Sequence, residues 1–321
     1  MTTAVELKNL SKSFPVGKRL FGRAHKLITA VDNISMVVPQ GETLGIVGES
    51  GCGKSTLAKM LVGLLQPTGG EIEIFGKPLN RLKSSHIGHD IQYVFQDPIS
   101  SLNPRKTIRQ IMHAPLKHLK KLPYKAREEK ISEIFAAVHL KHEFLDRYPH
   151  EFSGGQAQRI GIARALAASA KVIILDEPVS ALDVSVQAQI LNLLSDLREK
   201  YNLTYLFISH DLSVIETISD RVAVLYFGSV VEMGPADKIF SKPRHPYTKL
   251  LAESAPSIGH ALNRSSVLEA DLPDPLNPPV GCAFQERCPY ASSICREEAP
   301  ALISTSEGVQ VACHNANIAP R

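Results

Sequence analysis

The residues Gly48, Glu49, Ser50, Gly51, Cys52, Gly53, Lys54, Ser55 and Thr56 combine glycines, a lysine and hydroxyls in the spacing needed to hold a polyphosphate. Glycines let successive backbone N–H groups turn inward on phosphate oxygens, and a helix starting there points its positive end at the same charge. Lys54 can reach the outer phosphates, and the Ser55 hydroxyl is a ligand for Mg²⁺. The flanks fit, because residues 43–47 form an apolar run suited to a strand and residues 57–62 have helical spacing. Strand, glycine loop and helix together indicate a nucleotide site.

A hydrolytic site needs acids near such a loop. Val172, Ile173, Ile174 and Leu175 read as a buried strand that ends in Asp176 and Glu177. A carboxylate at a strand tip can hold Mg²⁺ through water while its neighbour polarises an attacking water. A second apolar strand, residues 205–209, ends at His210, and pairing with the Asp176 strand would turn its ring toward the terminal phosphate. Gln96 closes a further strand over residues 91–95. Phe152, Ser153, Gly154, Gly155 and Gln156 precede a helix expected over 157–168, with Ser153 as N-cap and two glycines exposing N–H groups. That is a second anion-binding terminus. Ser180, Ala181, Leu182 and Asp183 form a tight turn before a helix over 185–200. Phe14, just beyond a first strand at residues 5–10, either stacks on an adenine ring or belongs to the core.

Strands and helices alternate after residue 40, so a mostly parallel α/β sheet is expected, with antiparallel strands at its start and end. Residues 18–26 read as a basic loop or hairpin tip. Helical composition runs from Asn103 to about Leu145, with Pro115 and Pro123 as breaks, and residues 222–226 and 229–233 read as a closing hairpin. The chain has 321 residues, 44% hydrophobic and 21% charged, ordinary values for a globular protein with a sizeable core. A net charge of +4, spread along the chain, does not by itself argue for nucleic acid. No apolar run is long enough to span a bilayer, and residues 1–10 lack a signal-peptide core. The expected location is the cytosol, with membrane contact through a partner.

The ordered set of phosphate loop, Gln96, Ser153 to Gln156, Asp176 and Glu177, Asp183 and His210 resembles the ATP-binding cassette family over about residues 4–255. The resemblance implies a P-loop fold with an antiparallel β subdomain and a helical subdomain (about 97–170) within an ATP-binding domain of residues 1–255. It implies an ATPase using ATP and Mg²⁺, in which Ser55, Gln96 and Asp176 serve the metal. Glu177 would be general base, His210 a γ-phosphate contact, and Phe14 the adenine-stacking aromatic. Ser153, Gly154, Gly155 and Gln156 would close over ATP bound by a paired subunit. Phe152 stands where leucine is most usual in the family, and an apolar side chain is kept. The runs around Gln96 to Pro104, Pro178 to Ser185 and Pro243 to Thr248 resemble the oligopeptide/dipeptide importer subfamily, and the basic insertion resembles its F-type ATPase subunit. Partners so implied are a D-type paralogue as heterodimer mate, two transmembrane permease subunits and an external solute-binding protein, with no nucleic acid. The location implied is the cytoplasmic face of the inner membrane. Nickel, glutathione, opine and oligosaccharide importers are similar, and a soluble cassette in DNA repair or translation is a further alternative, although it would usually carry two cassettes or long coiled-coil insertions.

From about Pro256 the composition changes. A proline-rich linker over residues 271–279 leads to Cys282, Cys288, Cys295 and Cys313, in an extension of residues 256–321. Their spacing is not that of a zinc ribbon. Four thiols in a reducing compartment are candidates for a 4Fe–4S cluster, which similar importer tails hold, for zinc, or for no ligand at all. Arg287 and Arg296 are expected to lower the thiol pKa values.

Overall fold

A computed structural model describes residues 2–16, 26–81, 84–254 and 272–316. The expected basic loop, except for Lys26, lies outside the described residues, and of the linker only Asp271 does. In chain order the elements are β1 (Thr3–Val16), β2 (Lys26–Pro39), β3 (Thr43–Val47), α1 (Lys54–Leu61), β4 (Gly69–Ile74), β5 (Lys77–Pro78), α2 (Ser84–Asp90) and β6 (Ile91–Val94). A helical stretch follows, with α3 (Ile108–His118), α4 (Tyr124–Ala137) and α5 (Gly154–Ala167). Then come β7 (Val172–Asp176), α6 (Val184–Tyr201), β8 (Thr204–Ser209), α7 (Leu212–Ile218), β9 (Arg221–Tyr226), β10 (Ser229–Pro235), α8 (Ala236–Ser241) and α9 (Pro246–Ser254). The last part holds α10 (Ser293–Glu297), β11 (Ile303–Ser304) and β12 (Gln310–Val311).

Two sheets carry these elements. The larger has the order β11-β12-β10-β9-β3-β8-β7-β6. Its β9, β3, β8, β7 and β6 run parallel, and β10, β12 and β11 add antiparallel strands at one edge. The smaller sheet, β2-β1-β4-β5, is antiparallel. The central strands are covered on both faces, which explains their continuous apolar runs. Alternation sorts the side chains: Val172 and Ile174 of β7, with Leu206 and Ile208 of β8, join α1 and the antiparallel sheet in one core. Ile173, Leu175, Tyr205 and Phe207 point the other way and meet the helices.

The expected mostly parallel α/β sheet and antiparallel β strands are present, with two local corrections. Phe14 lies within β1 rather than beyond it, because β1 and β2 form a long ribbon paired as far as Val16 and Lys26. Pro115 lies inside α3 and does not break it. A proline lacks an N–H donor and crowds the carbonyl one turn back, but its own carbonyl still accepts from the Leu119 N–H at 2.9 Å. Pro123 does mark a boundary, as the residue before α4.

The C-terminal residues share the main core. β12 pairs with β10, and Phe284 and Val309 belong to the same buried cluster as Tyr226 and Tyr247. The hinge of this arrangement is the run Arg244, His245, Pro246, Tyr247. Glu232 of β10 is fully buried and accepts the backbone N–H groups of Arg244 and His245 at 2.8 and 3.0 Å. His245 accepts the Tyr247 N–H on Nδ1 at 3.0 Å, and burial pushes its pKa down to about 3. A histidine buried neutral binds fewer protons folded than unfolded, so it favours the fold fully above about pH 6.5 and progressively less toward the folded value. Between pH 7 and pH 5 the wild type should therefore lose about 2 kcal/mol more stability than His245→Gln. Denaturant titrations of both proteins at the two pH values check this, and parallel losses would count against it.

Candidate active site

The phosphate loop connects β3 to α1 and is held by close backbone approaches that only glycine permits. A Cβ on Gly48 would stand 2.2 Å from the Leu225 carbonyl oxygen, and one on Gly53 would stand 2.2 Å from that of Ala30. Gly53 also has φ of 106°, in the left-handed region. Lys54 is buried, and its Nζ donates to the carbonyls of Gly48 at 2.6 Å and Glu49 at 2.9 Å. Cys52 Sγ lies 3.7 Å from the same Nζ, while burial raises that thiol's pKa.

Ser50, Gly51, Gly53, Lys54, Ser55 and Thr56 line a cleft of 520 Å³ together with Gln96, Glu177 and His210. Parallel pairing of β6, β7 and β8 brings these last three side chains to one end of the sheet. Glu177 is the hub: Gln96 Nε2 donates to its Oε2 at 2.9 Å, and His210 Nδ1 lies 3.0 Å from its Oε1. Glu177 has φ of +47°, a conformation that costs a non-glycine residue of order 1 kcal/mol or more. It is held there by its N–H to the Ile208 carbonyl at 2.9 Å and by Ser180 Oγ donating to its own carbonyl at 3.1 Å.

Asp176 is buried behind this cleft, where the Tyr93 hydroxyl donates to its Oδ2. Burial first, and then this acid, raise the Tyr93 pKa, so the phenol keeps its proton and acts as donor. Tyr93 was visible in the sequence only as part of an apolar strand. Its place two positions before Phe95, on the strand next to Asp176, is the signal that pairing supplies.

Ser153, Gly154, Gly155 and Gln156 line a different depression, with Leu182, Asp183 and Val186, that shares no lining residue with the loop cleft. Ser153 Oγ accepts the Gln156 N–H, and Gln156 Oε1 accepts the Ser153 N–H, so the expected N-cap is a reciprocal capping box. Asp183 is exposed at the start of α6. Phe14 does not line the loop cleft; it is half-buried on β1 with Lys12 Nζ 5.2 Å above its ring.

Among the described residues no group of three or more His, Cys, Asp or Glu is arranged to hold a metal ion. Burial, followed by neighbouring thiols, raises the pKa of Cys282 and Cys313 and takes Cys288 to about 11. Arg287 does not depress these values, because it is committed to Glu49 of the phosphate loop at 2.8 Å. Cys295 is buried, and its carbonyl accepts the Cys282 N–H.

Residues 31–180 match the family described as ABC transporter, and residues 231–295 match the oligopeptide/dipeptide transporter C-terminal region. The chain is 48% identical to the oligopeptide transport ATP-binding protein AppF of Bacillus subtilis, over 97% of each chain. The chain belongs to the ABC transporter ATP-binding proteins. It is also 48% identical to the dipeptide transport ATP-binding protein DppF of Haemophilus influenzae, over 95% of this chain and 94% of that one. The dimeric, post-hydrolysis structure of the ATP-binding cassette MJ0796 bound to ADP and Pi aligns with a TM-score of 0.64 and 30% identity. That alignment covers 72% of this chain and 98% of the cassette. Membership of this family makes the chain an ATPase that uses ATP with Mg²⁺. Among the described residues no helix is long and apolar enough to cross a membrane.

The Tyr93–Asp176 contact can be tested alone. Tyr93→Phe leaves a buried carboxylate oxygen without its donor and should cost about 1–3 kcal/mol of stability, read from equilibrium denaturation. An unchanged midpoint would mean that Asp176 finds another donor.

Proposed function

We propose that this chain is the ATP-hydrolysing subunit that powers a di- or oligopeptide importer, with hydrolysis centred on Glu177. The observation that carries the reading is Glu177 fixed between Gln96 and His210 in the cleft that holds Lys54. In this mechanism the N–H groups of the glycine loop and Lys54 bind the phosphates. Lys54 exchanges its loop carbonyls for phosphate oxygens as nucleotide enters. Glu177 takes a proton from water as the water oxygen bonds to the γ-phosphorus and the β–γ bridging oxygen leaves with ADP. His210 orients the Glu177 carboxylate and contacts the γ-phosphate. The oxygen donors of Ser55, Gln96 and Asp176 suit a hard cation such as Mg²⁺, which supplies neutralisation of phosphate charge when bound.

Ser153 to Gln156 act on ATP held by a second ATPase subunit, and their separation from the loop cleft supports this. Asp183 lies in the same depression and would meet that subunit. A D-type paralogue is the proposed mate. ATP then joins two half-sites, and hydrolysis releases them, which biases the permease between conformations. Gln96 leads into the helical segment proposed to touch two permease subunits from the cytoplasmic face of the membrane, with a solute-binding protein on the other side. The peptide cargo follows from the likeness to peptide transport subunits along nearly the whole chain. Phe14 is the proposed adenine contact, reached once the ribbon of β1 and β2 closes on nucleotide.

Replacing Glu177 by Gln should lower kcat about 100-fold or more while ATP binding persists. With the mate subunit present, the variant should accumulate as an ATP-bound dimer in size-exclusion chromatography with light scattering. Turnover at the wild-type rate would remove Glu177 from the role of base.

A further inference from the structure

One set of contacts ties the C-terminal residues directly to the phosphate loop. Arg287 donates from Nη1 to Glu49 Oε2 and from Nη2 to Glu49 Oε1, both at 2.8 Å. The guanidinium side chain is only 3% exposed, and it stands 5.8 Å from the Tyr226 ring and 5.6 Å from the Phe284 ring. Tyr247, from the run that Glu232 anchors, accepts the Glu49 N–H on its hydroxyl at 2.9 Å. The Glu49 carbonyl in turn accepts from Lys54 Nζ. A single loop residue is thus gripped at its side chain, its N–H and its carbonyl. Two of those grips come from sequence more than 190 residues away, at separations of 198 and 238.

A two-pronged Arg–carboxylate pair whose guanidinium is withdrawn from water is strong and directional. Without the arginine, Glu49 would present an unneutralised carboxylate beside a site meant for phosphate, and its backbone would lose a fixed position. We propose that Arg287 is a positioning residue for ATP: acting through Glu49, it holds the phosphate loop in its receiving shape and cancels a negative charge there. The C-terminal region thereby sets nucleotide affinity. This rests on the reading that residues 48–56 hold the phosphates of ATP.

The test uses the full-length chain, with kcat and KM for MgATP from steady-state hydrolysis and Kd for MgADP from calorimetry. Arg287→Ala should raise KM and Kd about tenfold while kcat changes less than about twofold. Arg287→Lys keeps the charge without the fork and should raise both about threefold; it carries the test if the alanine variant does not fold. Because the effect passes through Glu49, Arg287→Ala made on a Glu49→Gln background should add less than about twofold. A simple packing role would leave the effect undiminished there, and that result overturns the proposal, as do wild-type KM and Kd in both arginine variants. Lys54→Ala is run alongside. Wild-type MgADP binding by that variant would refute the phosphate-site reading itself, whereas lost binding there with wild-type affinity in the arginine variants overturns the role of Arg287 alone.

Discussion

The constraint on which the rest of the molecule depends is the closeness of backbone to backbone around the phosphate loop. Gly48 lies against the Leu225 carbonyl at the end of β9, and Gly53 against that of Ala30 in β2. The Gly228 N–H donates to the Cys52 carbonyl at 3.0 Å, and the Asp32 N–H donates to the Gly228 carbonyl at 2.8 Å. The loop is therefore wedged between the antiparallel sheet and the β9–β10 hairpin. These backbone hydrogen bonds satisfy groups that would otherwise be buried unpaired, and they spare the loop's inward N–H groups for an anion. The two sheets can tolerate this only with no Cβ at the points of contact.

The same wedge explains why some residues were readable from sequence and others were not. Gly48, Gly53, Lys54 and Ser55 sit in one continuous run whose spacing encodes a local turn, so their role needs no knowledge of tertiary packing. Asp176, Glu177 and His210 were recoverable because buried parallel strands are apolar throughout and break off where a polar residue meets the cleft. Ser153 and Gln156 form a capping box, which is local by nature. Tyr93, Tyr247 and Arg287 carry no such mark. Tyr93 reaches Asp176 across 83 residues and Arg287 reaches Glu49 across 238, through pairings that only the sheet order defines. Pro115 misled for a related reason: a proline's effect depends on which carbonyls of the turn need donors, and the composition around it does not say.

Arg287 also shows how a plausible local argument fails. It immediately precedes Cys288, and a cation near a thiol should favour the thiolate. Local sequence proximity suggested that pairing, yet a carboxylate is the better partner for a guanidinium fork, and the fold brings Glu49 within reach. Once that pair forms, the thiols keep the effect of burial and of one another, both of which disfavour negative charge. The extension therefore turns the Arg287 cation toward the nucleotide loop and leaves Cys282, Cys288 and Cys313 less acidic than free thiols.

Glu177 poses the sharper question of why a catalytic carboxylate should sit on a left-handed backbone. A residue in extended conformation at the end of β7 would continue the alternation of that strand, in which Asp176 is already buried. The next side chain would then project to the opposite face of the sheet rather than over its end. Rotating φ to +47° swings the carboxylate into the space above the loop, between strands β6 and β8, where Gln96 and His210 can meet it. The Ile208 carbonyl and the Ser180 hydroxyl hold the distorted residue from both sides. The strain is thus a means of aiming: of two adjacent acids leaving one strand, one is buried behind the cleft and the other lines it.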